Sequence, residues 1–209
     1  MQPSNPPSAI LPTVAIGQQL QTVIDTLQTE ITALQTEVEL LRRRDDSLNR
    51  YMQRMDEEMR LAARLQRDFL PKQLPQIGRI RFHTLFRPAG YVSGDLYDIM
   101  RLDETHVGFY MADAVGHGVP AALLTMFIKN ALVTQQIGPD GYRLLPPSQT
   151  MARLNDALLS QNLSHATFAT AIYGYINTAT QTVCFARGGH PNPVLLKRQG
   201  EVRQLESEG

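Results

Sequence analysis

A chain of 209 residues, of which 43% are hydrophobic, can form one domain with a proper core and an appendage, but not two large domains. Twenty basic residues balance twenty acidic ones, so no charge excess points to nucleic acid or to an anionic membrane surface. The single cysteine, Cys184, excludes an internal disulfide and is interpreted as a small core residue. No apolar run reaches the roughly 20 residues of a membrane span, and no signal-peptide pattern opens the chain, so the sequence predicts a cytoplasmic protein.

The N-terminal third is predicted to be a short tail followed by one long helix. Residues 1–17 contain four prolines, which favours a flexible tail. Residues 18–70 contain no glycine or proline, and apolar residues recur in alternating steps of three and four. Isoleucine or valine at the a positions with leucine at the d positions is typical of a parallel two-stranded coiled coil, and hence of a homodimer. The alternative is a long amphipathic helix packed on its own domain. The a and d residues are Leu20, Ile24, Leu27, Ile31, Leu34, Val38 and Leu41.

Residues 76–209 are predicted to form an α+β domain, because short strands precede two helices and strand pairs follow them. One helix is predicted over 119–132, and a second begins near Ser148, which suits an N-cap; residues 134–147 between them are predicted to be a loop or crossover. The last four strands form two hairpins. Strands are predicted at 80–86, 106–112, 168–176, 182–186, 194–196 and 202–205, and residues 93–100 border one more strand.

Two carboxylates accompanied by glycine stand at predicted strand ends. Asp113 follows an apolar run and is followed by Gly116 and Gly118, which permit a tight turn into a helix. Asp95 comes directly after Gly94 and before another hydrophobic run. Two such strands could bring both aspartates together as metal ligands at the rim of a sheet. The simpler alternative is that Asp113 only starts a turn and caps the helix.

These segments resemble a known family, the metal-dependent protein serine/threonine phosphatases (PPM type), in their bacterial sporulation and stress-response branch (SpoIIE-like and RsbU-like). SGDLYD is similar to that branch's G-G-D-x-x-D signature, with Ser93 where glycine is usual, and DAVGHGVPAALLT is similar to its D-x-x-G-H-G-x-x-A-A segment. FATAIYGYI from Phe168 and ARGGHPNPVLL from Ala186 resemble two further blocks in the family's order. The resemblance covers residues 59–209.

The resemblance implies a β-sandwich flanked by α-helices, with a metal site at one end. It implies that Asp95, Asp113 and the backbone carbonyl of Ala114 bind Mn²⁺ or Mg²⁺, with two ions in the intact domain. Such ions suit hard oxygen ligands, and a pair of them can activate a water molecule and neutralise phosphoryl oxygens. The implied partner is a phosphorylated protein substrate, such as an anti-sigma-factor antagonist; no nucleic-acid or membrane partner is expected.

Other residues of these segments are assigned supporting roles. Asp98 either supports the metal ligands without binding the metal itself or is simply an acidic residue at the end of a strand. Oxygen-rich sites seldom need imidazole, so His117 is given a lesser role than the backbone shape that its neighbouring glycines permit. His190 could approach the site or stabilise its loop, and structural support is favoured. The supporting residues are Gly94, Asp98, Gly116, His117, Gly118 and His190.

The sequence therefore predicts a phosphatase that dimerises through its N-terminal helix. The alternative is a non-catalytic dimeric regulator or scaffold that retains a phosphatase-like fold. The family supplies further metal-binding aspartates from C-terminal strands, whereas this sequence has no aspartate after Asp156. We therefore expect that the C-terminal part of the domain is missing and that this chain alone is a poor phosphatase. In the alternative, Glu201, Glu206 or Glu208 folds back to replace the missing ligands.

Overall fold

The structure, a computed structural model, describes residues 13–139, 141–163 and 167–207 and divides into two compact units, Met1–Asp56 and Glu57–Gly209. Helix α1 (Thr13–Asp68) forms the described part of the first unit and continues into the second. The predicted tail is therefore wrong for residues 13–17, because one glycine costs a helix only about 1 kcal/mol. The helix also ends at Asp68 rather than at residue 70. The rest of the predicted tail, residues 1–12, lies outside the described residues.

The apolar stripe of α1 in the first unit lies at the surface. Its a and d side chains from Ile24 to Leu41 are between 44% and 59% exposed. The described residues of this unit belong to α1 alone, so they supply nothing that could cover the stripe. Despite its length, α1 is not apolar enough to cross a bilayer, and neither is any other helix in the described ranges.

The second unit contains helices, and strands that form antiparallel sheets. After α1 the elements are β1 (Asp95–Arg101), β2 (His106–Ala114), α2 (Gly118–Ala131), β3 (Gln135–Gly138), β4 (Gly141–Leu144), α3 (Pro147–Ser160), β5 (Ala169–Asn177), β6 (Thr182–Gly188), β7 (Val194–Leu196) and β8 (Val202–Gln204). Four of the strands form one antiparallel sheet with the order β1-β2-β5-β6, and two hairpins, β3–β4 and β7–β8, form separate two-stranded sheets. The α+β class, with a long N-terminal helix and antiparallel sheets, is confirmed.

One face of the four-stranded sheet packs against α2 and α3. Side chains alternate between the two faces of a strand, so every second residue of β1, β2 and β5 points at these helices. Leu96, Tyr110 and Tyr173 from the strands form one cluster with Ile128 of α2 and Leu154 of α3, and each is at most 6% exposed. This core fixes the strands and therefore the position of the strand ends.

Two predicted elements differ from the structure. Residues 80–86 do not form a strand; an isolated bridge between Ile77 and Ile80 is the only pairing that the structure gives them. A strand needs a hydrogen-bonded neighbour, and no described strand pairs with this segment. The predicted loop at 134–147 contains the hairpin β3–β4.

Two predictions about single residues are also wrong. Ser148 is not the N-cap of α3, because Pro146 holds that position and Pro147 begins the helix, where its fixed backbone angle is favoured. Cys184 is exposed rather than part of the core.

Candidate functional site

The antiparallel pairing of β1 with β2 places Asp95 directly opposite Asp113. Side chains of directly opposed residues lie about 5 Å apart at their Cβ atoms. Both residues are exposed, because they stand at one end of the sheet on the face that does not carry the helices. The structure therefore brings together the two carboxylates that the sequence analysis selected.

The two carboxylates influence each other electrostatically. Burial raises the pKa of Asp95, and the negative charge of Asp113 raises it further. A hydrogen bond from Ser93 and the nearby His190 act in the opposite direction, but they do not cancel the rise. Two like charges held this close favour a bound cation, which would relieve their repulsion.

Gly94 allows β1 to approach the turn after β2. A Cβ atom at this position would lie 2.9 Å from the carbonyl oxygen of Ala114 and 3.2 Å from the Cβ of Ala121. The Ala114 N–H donates to the Gly94 carbonyl at 2.8 Å, so the backbones are in direct contact. Any side chain at residue 94 would push Asp95 away from Asp113. Ala114 is not among the lining residues, but its carbonyl oxygen lies beside Gly94, which does line the cleft.

The side chain of Gln66 in α1 forms two hydrogen bonds with the backbone of Ser93, the residue before Gly94. Its Nε2 donates to the Ser93 carbonyl at 2.7 Å, and the Ser93 N–H donates to its Oε1 at 2.8 Å. Gln66 is 5% exposed, beside a small apolar cluster of Ala63, Val92 and Ala122. Gln66 could not be selected from the sequence, since a glutamine within a helix gives no sign of a partner 27 residues away.

The turn between β2 and α2 uses two glycines in the left-handed region. Gly116 has φ +90° and Gly118 has φ +73°, angles that side chains of L-residues rarely adopt. His117 lies between them as the N-cap of α2, but its side chain makes no capping hydrogen bond. The alternative in which Asp113 caps the helix is therefore wrong. His117 is exposed at the edge of the site.

A cleft of about 480 Å³ opens around the two aspartates. Its lining comes from Met59 of α1, residues 87 and 89–95, Asp113 and the turn residues 116–118. Arg87 belongs to this lining, although it is not among the site residues predicted from the sequence. It lies in a segment without regular structure, so no sequence pattern indicated that it would line a cleft.

Asp98 lies away from this cleft. It is three residues after Asp95 on the same strand, so it points to the opposite, helix-packed face of the sheet. There its Oδ2 forms an ion pair with Lys129 of α2 at 2.6 Å, and Lys129 also donates to the Phe69 carbonyl. Asp98 therefore ties α2 and the segment after α1 to the sheet, and it does not contact Asp95 or Asp113.

His190 stands near the aspartates in the loop after β6. Its Nδ1 shares a hydrogen bond of 3.0 Å with Thr170, the residue that pairs with Asp113 across β2 and β5. Burial lowers the pKa of His190, while the charges of Asp113 and Asp95 act to raise it. Arg187 donates to the His190 carbonyl at 3.2 Å and thereby holds the loop. His190 thus both approaches the site and stabilises the loop.

The donor set fits a hard divalent cation in part. Mg²⁺ is usually held by one or two carboxylates, with water molecules and phosphate oxygens completing an octahedron, and two paired aspartates match that pattern. Within the residues that the structure describes, no three Asp, Glu, His or Cys side chains converge on a common metal position. The pair can thus anchor an ion without enclosing it.

Comparison with known proteins identifies the family. The family model of Stage II sporulation protein E (SpoIIE) matches residues 103–209, about half of the chain. The chain belongs to the SpoIIE family, and the family predicted from the four sequence blocks is confirmed.

Individual relatives agree with this assignment. Phosphoserine phosphatase RsbU of Bacillus subtilis (strain 168) is 28% identical over 164 residues, covering 78% of this chain and 47% of that protein. Phosphoserine phosphatase RsbP of the same organism is 30% identical over 151 residues, covering 71% and 36%. The chain therefore spans less than half the length of these relatives. The SiaA-PP2C domain of Pseudomonas aeruginosa has the same fold, with a TM-score of 0.54 at 20% identity over 74% of this chain and 60% of that one.

Proposed function

We propose that this chain carries the metal site of a protein phosphatase that hydrolyses phosphoserine or phosphothreonine on a regulatory protein, such as an anti-sigma-factor antagonist. The observation that supports this proposal most directly is that Asp95 and Asp113 lie opposite each other on adjacent strands and both line a cleft. Membership of the SpoIIE family supports the proposal, as do two relatives that are named phosphoserine phosphatases.

In the proposed reaction Asp95 and Asp113 would hold Mn²⁺ or Mg²⁺, the carbonyl of Ala114 would be a third donor, and two ions are expected. Bound divalent ions supply the positive charge that makes a water molecule nucleophilic and neutralises the phosphoryl oxygens. The protein's own contribution is geometric. Gly94 keeps β1 against the Ala114 carbonyl, and a Cβ atom at Gly116, which lines the cleft, would meet nothing within 4 Å, so the turn leaves room for a phosphorylated side chain.

Hydrolysis of a phosphoserine peptide tests the proposal. In a protein that contains the whole domain, turnover should require Mn²⁺ or Mg²⁺, stop when a chelator is added, and fall by at least about 100-fold in Asp113→Asn, because loss of a ligand charge weakens ion binding. Asp156→Asn, at an exposed position of α3, is the matched control and should leave turnover unchanged. Chelator-resistant hydrolysis, or full activity in Asp113→Asn, would count decisively against the proposal.

The proposed enzyme is a homodimer through α1. The exposed stripe of isoleucine, valine and leucine at a and d positions supports a parallel coiled coil, because pairing would bury side chains that are about half exposed in the single chain. The second candidate function, a non-catalytic dimeric regulator, is favoured by the lack of a third converging metal-binding side chain among the described residues. A dimer that binds no Mn²⁺ in titration calorimetry and hydrolyses no phosphopeptide would select that alternative.

A further inference from the structure

The segment between α1 and β1 carries positive charge without negative charge. Residues 69–94 contain Lys72, Arg79, Arg81 and Arg87 but no aspartate or glutamate, although basic and acidic residues balance over the whole chain. The three arginines are exposed, and none of them forms a hydrogen bond or ion pair with the residues that the structure describes. Exposed cations that no neighbouring carboxylate neutralises attract an anionic partner.

Burial alternates along this segment, as it does in an extended chain that turns one face inward. Phe82 and Phe86 are half-buried, whereas Arg81, Leu85 and Arg87 are exposed, Leu85 by 79%. The exposed side chains therefore form a stripe in which an apolar residue lies between positive charges, and a further exposed arginine comes two residues before it. This basic stripe consists of Arg79, Arg81, Leu85 and Arg87.

The basic stripe ends at the cleft of the two aspartates, because Arg87 belongs to the lining of that cleft. The ring of Phe86 packs edge-on against Tyr97, with the ring centroids 6.0 Å apart. Tyr97 comes two residues after Asp95 on β1, so both side chains point to the same face of the sheet. The segment therefore lies on the face that carries Asp95, and the six residues from Arg81 to Arg87 span at most about 20 Å.

We infer that the basic stripe binds an extended acidic segment of the substrate protein, within about six residues of its phosphoserine. The inference rests on the proposed phosphatase function and names the kind of sequence that this site selects. Carboxylates of the segment would pair with Arg79 and Arg81, and an apolar side chain between them would contact Leu85. The acidic segment, and not the phosphoryl group, is the ligand of the stripe.

A protein segment fits the stripe better than a nucleic acid or a membrane surface does. Leu85 interrupts the positive charge with a side chain that suits an apolar residue of a peptide. The chain as a whole has no charge excess that would attract a long polyanion.

Fluorescence anisotropy at low ionic strength tests the inference without turnover. The probe is a fluorescein-labelled peptide, Ser-Gly-Glu-Leu-Glu-Val-Glu, and its neutral match has glutamine in place of each glutamate. The wild-type chain should bind the acidic probe at least about 5-fold more tightly than the neutral match, and added salt should weaken binding of the acidic probe.

The variant Arg79→Gln/Arg81→Gln should bind the acidic probe about 3- to 30-fold more weakly, because each exposed ion pair contributes a modest free energy. Arg198→Gln/Arg203→Gln is the matched control. It removes the same charge from two exposed arginines outside the stripe and the cleft, and it should leave binding unchanged. Arg79→Lys/Arg81→Lys keeps the charge and should retain most of the affinity.

Several results would overturn the inference. They are the lack of binding of the acidic probe by the wild type, equal binding of the neutral match, and equal weakening by the two glutamine pairs. Binding of a single-stranded oligothymidylate, or of vesicles with anionic phospholipid, that is as tight and depends equally on Arg79 and Arg81 would also overturn it, because the stripe would then be a general polyanion surface.

The same peptides with phosphoserine in place of serine provide a second measurement, in a protein that contains the whole domain. The wild type should hydrolyse the acidic peptide with the lower KM, and Arg79→Gln/Arg81→Gln should remove this preference with little change in kcat. If the wild type hydrolyses neither peptide, the proposed function fails, whereas anisotropy still decides whether the stripe binds an acidic segment. Equal thermal unfolding of the variants excludes a folding defect, and the comparison of the two peptides on the wild-type chain depends on no variant.

Discussion

Replacing Gln66 with alanine should destabilise the second unit far more than an ordinary substitution on a helix. Gln66→Ala removes both hydrogen bonds to Ser93, of 2.7 and 2.8 Å. Ser93 is only 8% exposed, so its N–H and carbonyl would lose their partners in a site that water reaches poorly. A buried polar group without a partner costs about 1–3 kcal/mol, and two such groups give about 2–4 kcal/mol after partial relaxation. The corresponding fall in Tm is about 4–16 °C for a chain of this size.

Thermal and urea unfolding of the full chain measure this loss. Gln53→Ala is the matched control, because Gln53 is exposed on the same helix and should change stability by less than about 0.5 kcal/mol. Gln66→Glu adds a pH test. Burial would raise the pKa of the introduced carboxyl group, so the loss of stability relative to the wild type should be largest at neutral pH and should disappear as the pH falls towards about 4, the pKa range of an unfolded glutamate. If Gln66→Ala unfolds like Gln53→Ala, the bonds to Ser93 contribute nothing to stability and the reasoning is refuted.

Two further perturbations test other parts of the chain. Leu27→Asp combined with Leu34→Asp puts charge into the apolar stripe and should yield monomers. Light scattering at tens of micromolar should show dimers for the wild type and for Gln28→Asp, a control outside the stripe. A monomeric wild type would contradict the coiled coil. Burial raises the pKa of Asp103, but hydrogen bonds from Thr105 and His106 outweigh burial and hold the pKa below its usual range. The stability from these bonds is present above about pH 4, the pKa range of an unfolded aspartate, and is lost as the pH falls through the folded-state pKa. Acid unfolding curves should therefore be steeper for the wild type than for Asp103→Asn, and parallel curves would disprove the role of this carboxylate.

The juxtaposition of Asp95 and Asp113 could be predicted from the sequence because its determinants are local. Each aspartate follows or precedes glycine at the end of an apolar run, and short antiparallel strands joined by a short turn bring such ends together. The hairpins β5–β6 and β7–β8 were predictable for the same reason, since turn residues separate their strands.

The contacts that the sequence did not reveal join residues far apart in the chain. Gln66 bonds to Ser93 and Lys129 bonds to Asp98, and in both pairs the residue types are common on exposed helix surfaces. The segment 80–86 shows the complementary error: its residues favour a strand, but pairing depends on a neighbour that local pattern cannot supply. The sequence Gly138-Pro-Asp-Gly141 is typical of a tight turn and indicates a hairpin at β3–β4, whereas the prediction for this segment was a loop or crossover.

The turn between β1 and β2 constrains which insertions and deletions this gene can tolerate. The Asp103 carboxylate accepts the N–H groups of Thr105 and His106, each at 2.7 Å, and so sets where β2 begins relative to β1. Side chains alternate with a period of two, so a shift of β1 by one residue would turn Asp95 to the helix-packed face and bring Gly94 or Leu96 opposite Asp113. A single codon gained or lost in this distant turn would therefore erase the carboxylate pair at the other end of the strands, although every site residue would still be encoded.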